Sequence, residues 1–184
     1  INVVVPTGNF GNILASYYAK RMGLPVHKFI CASNSNNVLT DFIRTGTYDK
    51  KRAFYTTISP SMDILVSSNL ERLLYHLCGE DTEKLTGWMN ALQSGGAYTV
   101  DAATADAVRA LFYGGCCDDK ETVEVIRNTF EKDGYLCDTH TAVAVGVYEQ
   151  YLKETGDKTP AVIASTASPY KFPDSMLDAF DCEK

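Results

Sequence analysis

The sequence lacks the features that mark several broad classes of protein. Its 184 residues contain no apolar run of about 18 residues, which argues against a membrane-spanning helix. Its 17 Lys and Arg residues are outnumbered by 23 Asp and Glu residues, and a net charge of −6 argues against a surface for duplex nucleic acid. No secretory signal peptide is recognisable. We therefore expect no membrane and no nucleic-acid partner.

Zinc-binding and redox motifs are missing as well. The chain has six cysteines and three histidines, but no C-x-x-C pair and no histidine at a zinc-like spacing from a cysteine. Scattered cysteines without a secretion signal are typical of reduced thiols in the cytosol, so we predict a cytoplasmic protein without a metal site. The cysteines are Cys31, Cys78, Cys116, Cys117, Cys137 and Cys182.

What is present is an alternation of short β-branched runs and amphipathic helices. Residues 2–6 and 27–32 have the composition of buried parallel strands, and residues 160–166 form a third such run. Between the first two, apolar side chains recur at helical spacing until Gly23 and Pro25 end the helix. This pattern predicts an α/β fold with three layers, in which helices cover both faces of a mostly parallel sheet.

Residues 1–184 read as a single domain, because no repeat, low-complexity stretch or linker interrupts them. Three strands are well marked, and residues 53–58 are a candidate fourth. So small a sheet, packed by several helices, would leave long unpaired edges. The chain also begins inside a strand and has no initiator Met. We therefore expect part of a longer protein, whose remaining strands lie upstream.

Further apolar stripes predict more helices and their caps. Asn69 is placed to cap one helix, and Asp138 or Thr139 to cap another. Phe112 is predicted to end a helical stripe. Residues 34–37 (NSNN) follow a strand, and they either form a turn with an N-cap or line a ligand cleft.

Four other polar residues are candidates for a functional role. His140 is expected near a helix N-terminus, where it either supports a site or packs and caps. His76 lies on the polar side of a leucine-rich helix and is predicted to be solvated. The acidic pair Asp118 and Asp119 precedes a helix, and capping explains the pair better than acid–base chemistry.

The loop PTGNFGN, between the first strand and the first helix, offers the clearest chemistry. A helix N-terminus has unsatisfied N–H groups and the positive end of the helix dipole. Gly8 and Gly11 carry no Cβ, so an oxyanion can approach the backbone closely. The predicted ligand group is a phosphate, although the loop is neither a Walker A motif nor a G-x-G-x-x-G motif. The alternative is a strand–helix turn that uses glycine only for tight packing.

Three stretches in order resemble threonine synthase, a pyridoxal 5'-phosphate (PLP) enzyme of fold type II. They are residues 5–46 (beginning VPTGNFGN), residues 57–79 (beginning TISPSMD) and residues 165–172 (STASPYKF). The resemblance implies that the chain is the C-terminal part of the large PLP-binding domain.

The resemblance assigns the glycine loop to the cofactor. It implies that Gly8, Asn9, Phe10, Gly11 and Asn12 hold the PLP phosphate through backbone N–H groups. For Phe10 the alternative is a core anchor, and for Asn12 it is a polar residue that stabilises the helix.

The resemblance also places a hydroxyl near the pyridine nitrogen of PLP, at Thr166, with Ser165 as the adjacent candidate. A hydroxyl can donate a hydrogen bond to a neutral ring nitrogen, whereas a carboxylate would favour the protonated ring. The alternative is a threonine that ends a strand and bonds its own backbone. Ser168 stands where many relatives carry histidine.

The implied reaction is that of a lyase in threonine biosynthesis, which converts O-phosphohomoserine and water to threonine and phosphate. In the family, the lysine that holds PLP as a Schiff base lies upstream in an F-K-D-like motif, and none of the eleven lysines here has that context. We therefore predict no catalytic residue in this chain, an inactive isolated chain, and the N-terminal half as its partner, with the oligomeric state open. The alternatives are a dehydratase-like or cysteine synthase-like relative, and a non-catalytic module that binds phosphorylated ligands.

Overall fold

The computed structural model describes residues 1–180, so Cys182 lies outside the described part. In chain order its strands and helices are β1 (Asn2–Pro6), α1 (Gly11–Arg21), β2 (Phe29–Ser33), α2 (Val38–Thr45), β3 (Thr47–Asp49), α3 (Leu70–Leu77), α4 (Thr82–Gly95), β4 (Ala97–Thr99), α5 (Ala102–Leu111), β5 (Phe112–Cys116), α6 (Asp119–Asp133), α7 (Thr139–Thr155), β6 (Ala161–Ile163) and α8 (Pro173–Ala179).

The main sheet is parallel, with the strand order β5-β2-β1-β6. In the central strand β1, Val4 lies opposite Ile30 of β2 and Ile163 of β6. The short strands β3 and β4 form a separate antiparallel pair. The prediction of an α/β fold with a mostly parallel sheet is confirmed.

The alternation of side chains along the strands produces the three layers. Val3 and Val5 of β1 join a core formed with α1, α2, α3 and α5, whereas Val4 between them joins a core formed with α7. Successive residues of a strand point to opposite faces, so β1 is buried on both sides. A third cluster lies where α6, α7 and α8 meet around Ile126. The sheet thus lies between two helical layers, as predicted.

The fourth strand lies elsewhere than the sequence pattern suggested. Phe112 ends α5 as its C-cap, with its backbone N–H donating to Val108 O, and it also begins β5. In that strand Gly114 and Gly115 let helices pack closely. A Cβ at Gly114 would lie 3.1 Å from Thr40 Cα, and one at Gly115 would lie 2.6 Å from Val147 Cγ1. Only the contacts with α2 and α7 reveal why these two glycines are in a strand.

Residues 53–58 were the predicted fourth strand, and this prediction is wrong. Their backbone is irregular, and the carboxamide of Asn36 satisfies part of it. The Asn36 Nδ2 donates to Tyr55 O at 2.8 Å, and Tyr55 N donates to Asn36 Oδ1 at 3.0 Å. The Asn36 side chain thus satisfies the backbone N–H and C=O of Tyr55, so these groups need no neighbouring strand.

The N-termini of two helices confirm predicted caps. Asp138 caps α7, and Asp118 forms a capping box with Glu121 at the start of α6, both as expected. His76 was predicted to be solvated, but it is half-buried: its ring lies edge-on to Tyr18, with centroids 5.6 Å apart. No helix within residues 1–180 is both long and apolar enough to cross a membrane.

Candidate anion-binding site

The loop between β1 and α1 has an unusual backbone that its sequence explains. Phe10 precedes the helix in the left-handed conformation, with φ 63° and ψ 12°. That region costs a residue with a Cβ about 1–2 kcal/mol. The ring compensates for this cost, because it is 1% exposed and lies 5.7 Å from the Phe112 ring. The Phe10 side chain therefore acts as a core anchor, which was the alternative predicted for it. Its backbone N–H still belongs to the loop.

The loop presents a row of unused donors. Within residues 1–180, the backbone N–H groups of Gly8, Asn9, Phe10, Gly11 and Asn12 have no hydrogen-bond acceptor. Phe10 provides no side-chain cap, and the first turn of α1 carries no acidic residue. A left-handed residue followed by helical residues forms a nest, in which successive N–H groups converge on one concave side. This geometry suits an anion with several oxygens.

The two glycines of the loop are needed for different reasons. A Cβ at Gly8 would lie 2.9 Å from Met62 Cα, so Gly8 allows the turn around Pro60–Met62 to pack against the loop. A Cβ at Gly11 would meet only Asn69 Nδ2, at 3.7 Å. Packing within the protein therefore does not require glycine at position 11. The missing side chain instead leaves the backbone N–H groups open to a ligand.

The turn against Gly8 is held by a buried polar network. Asp63 accepts hydrogen bonds at 2.7 Å from Asn34 Nδ2 and at 3.0 Å from Asn36 Nδ2. It also accepts from Thr57, through the backbone N at 2.9 Å and through Oγ1 at 2.7 Å. Asn36 N donates to Asn34 Oδ1, which makes the turn predicted for residues 34–37.

The role of the NSNN segment is thus structural. Asn37 precedes α2 without a side-chain cap bond, and none of the four residues lines the cleft described below. The polar segment holds the turn at residues 57–63, which in turn forms a wall of the site. The predictions that it caps the helix or lines the cleft are wrong.

His140 supports the same wall from α7. Its Nε2 accepts a hydrogen bond from Ser61 N at 3.2 Å, so Nδ1 carries the ring proton and faces Asp138 Oδ1 at 3.2 Å. The side chain of His140 is 3% exposed. Burial raises the pKa of Asp138, but hydrogen bonds from His140 and Thr141 outweigh that effect and lower the pKa overall. The carboxylate therefore stays ionised and fixes the tautomer of the imidazole.

Thr166 and Ser165 face different cavities. Thr166 lines the cleft that the loop also lines, and its hydroxyl has no hydrogen-bond partner within residues 1–180. Ser165 lies beside α6 and α7, where its Oγ is 3.3 Å from both Thr141 Oγ1 and Tyr135 Oη. Of the two candidate hydroxyls, the geometry therefore favours Thr166. Ser168 precedes a short 3-10 helix, Pro169–Lys171, and lies outside the lining of this cleft.

These parts enclose one cleft of about 270 Å³ at the carboxyl end of β1. Parallel α/β sheets bind ligands at this end of their strands. The lining residues within the described part include no Asp, Glu or Lys, although the chain is acidic overall. They are residues 5–12, 61–62 and 166–167, with His140.

The structure thus brings together all six residues that the sequence proposed for the cofactor. Four further residues complete or support the site, and none of them was predicted to do so: Ser61, Met62, Ser68 and Asn69. Ser61 and Met62 lie in the stretch TISPSMD, which resembled the family but suggested no chemistry. Ser68 and Asn69 lie farther along the same stretch, and Asn69 suggested only a helix cap.

Known proteins resemble this chain in sequence and in fold. Residues 141–184 match the family described as "Threonine synthase, C-terminal". The chain is 45% identical over 181 residues to human "Threonine synthase-like 1" and 40% identical over 193 residues to threonine synthase from Schizosaccharomyces pombe. The fold matches a crystal structure of PLP-bound threonine synthase from Brucella melitensis, with a TM-score of 0.91 and 42% identity.

The resemblance to threonine synthase is confirmed. It extends over 97% of this chain in the human relative, 94% in the S. pombe enzyme and 99% in the Brucella structure. The chain spans only 24% of the human relative and 38% of each of the two threonine synthases. It therefore matches one portion of threonine synthase, and the glycine loop, the turn at residues 57–63 and Thr166 all lie within that portion.

Proposed function

We propose that this chain forms the phosphate-binding side of the PLP site of a threonine synthase. The whole enzyme would be a lyase of threonine biosynthesis that converts O-phosphohomoserine and water to threonine and phosphate. The observation that carries the proposal is the row of five backbone N–H groups from Gly8 to Asn12 without an acceptor within residues 1–180. These residues share their cleft with Thr166, whose hydroxyl has no hydrogen-bond partner among the described residues.

The residues present fit the phosphate ester of PLP. The donors at Phe10, Gly11 and Asn12 belong to the nest, and the dipole of α1 adds positive potential where its first turn lacks an acid. A dianion gains most where no carboxylate faces it, and no Asp or Glu among residues 1–180 lines this cleft. The open space beside Gly11 lets an oxygen reach the backbone.

The other end of the site would position the cofactor ring. Thr166 would donate its hydroxyl proton to the pyridine nitrogen, and a neutral donor leaves that nitrogen unprotonated. Bound PLP would supply the capacity to stabilise a carbanion during loss of the substrate phosphate. The protein's task is to hold the ring and to exclude bulk water, and the wall formed by Met62 and supported by His140 serves both purposes.

The lysine that binds PLP and the N-terminal half of the protein would come from outside residues 1–184. The chain spans 24–38% of the relatives it matches, which supports a larger protein around it. We place that protein in the cytoplasm, because the five described cysteines are all free thiols and burial raises the pKa of four of them. Its oligomeric state is open.

The test is made on the full-length protein that contains this chain. With PLP it should develop the absorbance of bound cofactor, and with O-phosphohomoserine it should release phosphate and threonine in equal amounts. Free serine and free threonine serve as control substrates, and preferential turnover of either would assign the protein to the dehydratase-like alternative. A protein that neither binds PLP nor releases phosphate would refute the proposal.

The isolated chain provides a second measurement. We expect residues 1–184 to release no phosphate from O-phosphohomoserine, because no lysine of the described part lines the cleft. Phosphate release by this chain at the rate of the full-length protein would show that our assignment of the upstream lysine is wrong.

A further inference from the structure

Asn9 of the loop is hydrogen-bonded to the two residues that precede α3. The Oδ1 of Asn9 accepts two hydrogen bonds from Ser68, one from the backbone N and one from Oγ, both at 2.8 Å. The backbone carbonyl of Asn9 accepts from Asn69 Nδ2, also at 2.8 Å. Arg72 in turn donates from Nη1 to Asn69 Oδ1. We call Ser68 and Asn69 the loop clamp.

The clamp determines which way an amide of the loop points. A peptide unit is planar and trans, so its C=O and the following N–H point in opposite directions. By holding the carbonyl of Asn9, Asn69 therefore turns the N–H of Phe10 away from α3. That N–H is one of the five donors without an acceptor within residues 1–180.

The bond from Arg72 fixes the orientation of the Asn69 carboxamide. Its oxygen faces the guanidinium and its nitrogen faces the Asn9 carbonyl, so donor and acceptor are matched at both ends. Asn69 also lies beside the nest, since its Nδ2 is the atom closest to a Cβ at Gly11.

Asn69 has no other visible task at this place. It occupies the N-cap position of α3, but its side chain makes no cap hydrogen bond, so the cap predicted from the sequence is wrong. The side chain is engaged with Asn9 and Arg72 instead. Removing it should consequently disturb the loop more than the helix.

We infer that Asn69, assisted by Ser68, is a positioning residue that orients the loop amides for recognition of a phosphate ester. The inference rests on the proposed PLP site. It goes beyond that site because it assigns phosphate selectivity to Asn69, which precedes α3 and does not line the cleft.

The experiment compares PLP with pyridoxal, which lacks the phosphate, on the full-length protein. In the Asn69→Ala variant the hydrogen bond to the Asn9 carbonyl is lost and the Phe10 amide is no longer held in place. We expect its affinity for PLP to fall about tenfold. Binding of pyridoxal and the melting temperature without cofactor should stay unchanged. Asn69→Asp should weaken PLP binding further, because a carboxylate cannot donate to the Asn9 carbonyl and repels a phosphate.

The matched control is Asn90→Ala, which removes the same side chain from an exposed position on α4 where it makes no hydrogen bond within residues 1–180. This control should bind both ligands as the wild type does. If Asn69→Ala does not fold, Ser68→Ala replaces it, since it removes only one of the two bonds to Asn9 Oδ1; a selective loss for PLP is again expected.

Two results would overturn the inference while leaving the proposed function intact. One is an Asn69→Ala protein that still prefers PLP to pyridoxal as strongly as the wild type. The other is an equal loss of affinity for both ligands, which a merely structural role would produce. A wild-type protein that binds both ligands equally would instead refute the phosphate site itself.

Discussion

The open space beside Gly11 leads to a prediction in which stability and binding change in opposite directions. Gly11 is the first residue of α1 and does not have a positive φ, so alanine fits its backbone. The Cβ would meet only Asn69 Nδ2, at an ordinary contact distance of 3.7 Å. In a helix the Cα–Cβ bond tilts toward the N-terminus, which here is the side of the anion cleft.

The magnitudes follow from these two facts. Replacing glycine by alanine at a compatible position raises the unfolding free energy by about 0.4–1 kcal/mol, chiefly because the unfolded chain loses freedom. A methyl group in the path of a phosphate oxygen removes a hydrogen bond to a charged group, worth about 1.5–3 kcal/mol. That loss corresponds to a roughly 10- to 150-fold weaker affinity for PLP.

The assay combines denaturant unfolding of the cofactor-free protein with a PLP titration, for wild type and Gly11→Ala. The control is Gly87→Ala, in the interior of α4, where a Cβ meets nothing within 4 Å. It should gain stability without loss of affinity. If Gly11→Ala gains stability and binds PLP as tightly as the wild type, no ligand oxygen approaches the backbone there, and our reasoning about the loop is wrong.

Three further predictions concern the walls of the cleft. Gly8→Ala should lower the unfolding free energy by about 1–3 kcal/mol, because its Cβ would lie 2.9 Å from Met62 Cα, and an unchanged denaturation midpoint would contradict the close packing seen here. Asp138→Asn should lower the unfolding free energy at neutral pH by about 1–3 kcal/mol, since it removes the carboxylate to which His140 donates. Because the pKa of Asp138 is lowered in the folded protein, this difference from wild type should be constant above a pH of about 4 and shrink as the pH falls through the lowered pKa; a difference that grows in acid would reverse our sign. Thr166→Val should leave stability unchanged but reduce kcat for phosphate release, and Thr166→Ser should restore kcat, whereas equal loss in both variants would exclude a role for the hydroxyl.

The loop could be predicted from the sequence because its signals are local. A β-branched run, two glycines and an amphipathic helix within about twenty residues determine a strand, a turn and a helix N-terminus in that order. The donors of the nest are backbone atoms, so their number does not depend on distant side chains. The cap of α7, predicted at Asp138 or Thr139, is also a local signal, and the structure has it at Asp138.

Other parts of the site depend on residues far apart in the chain. Asn69 follows the sequence pattern of an N-cap, but a carbonyl 60 residues away takes its hydrogen bond instead. Residues 53–58 follow the pattern of a strand, but the Asn36 side chain satisfies part of their backbone. Strand β5 was not predicted, because Gly114 and Gly115 carry no strand pattern and their close contacts with α2 and α7 appear only in the folded protein.

The sequence by itself determined the α/β class, the parallel strand β1 and a helix start that offers free amides to an anion, since each follows from short-range backbone preferences. Only the tertiary structure decided that Thr166 lines one cleft with those amides while Ser165 lines another, that His140 bonds the turn at Ser61, and that Asn69 bonds the loop at Asn9. These are contacts between segments distant in the chain, and they are set by how the layers pack, which no local pattern of residues encodes.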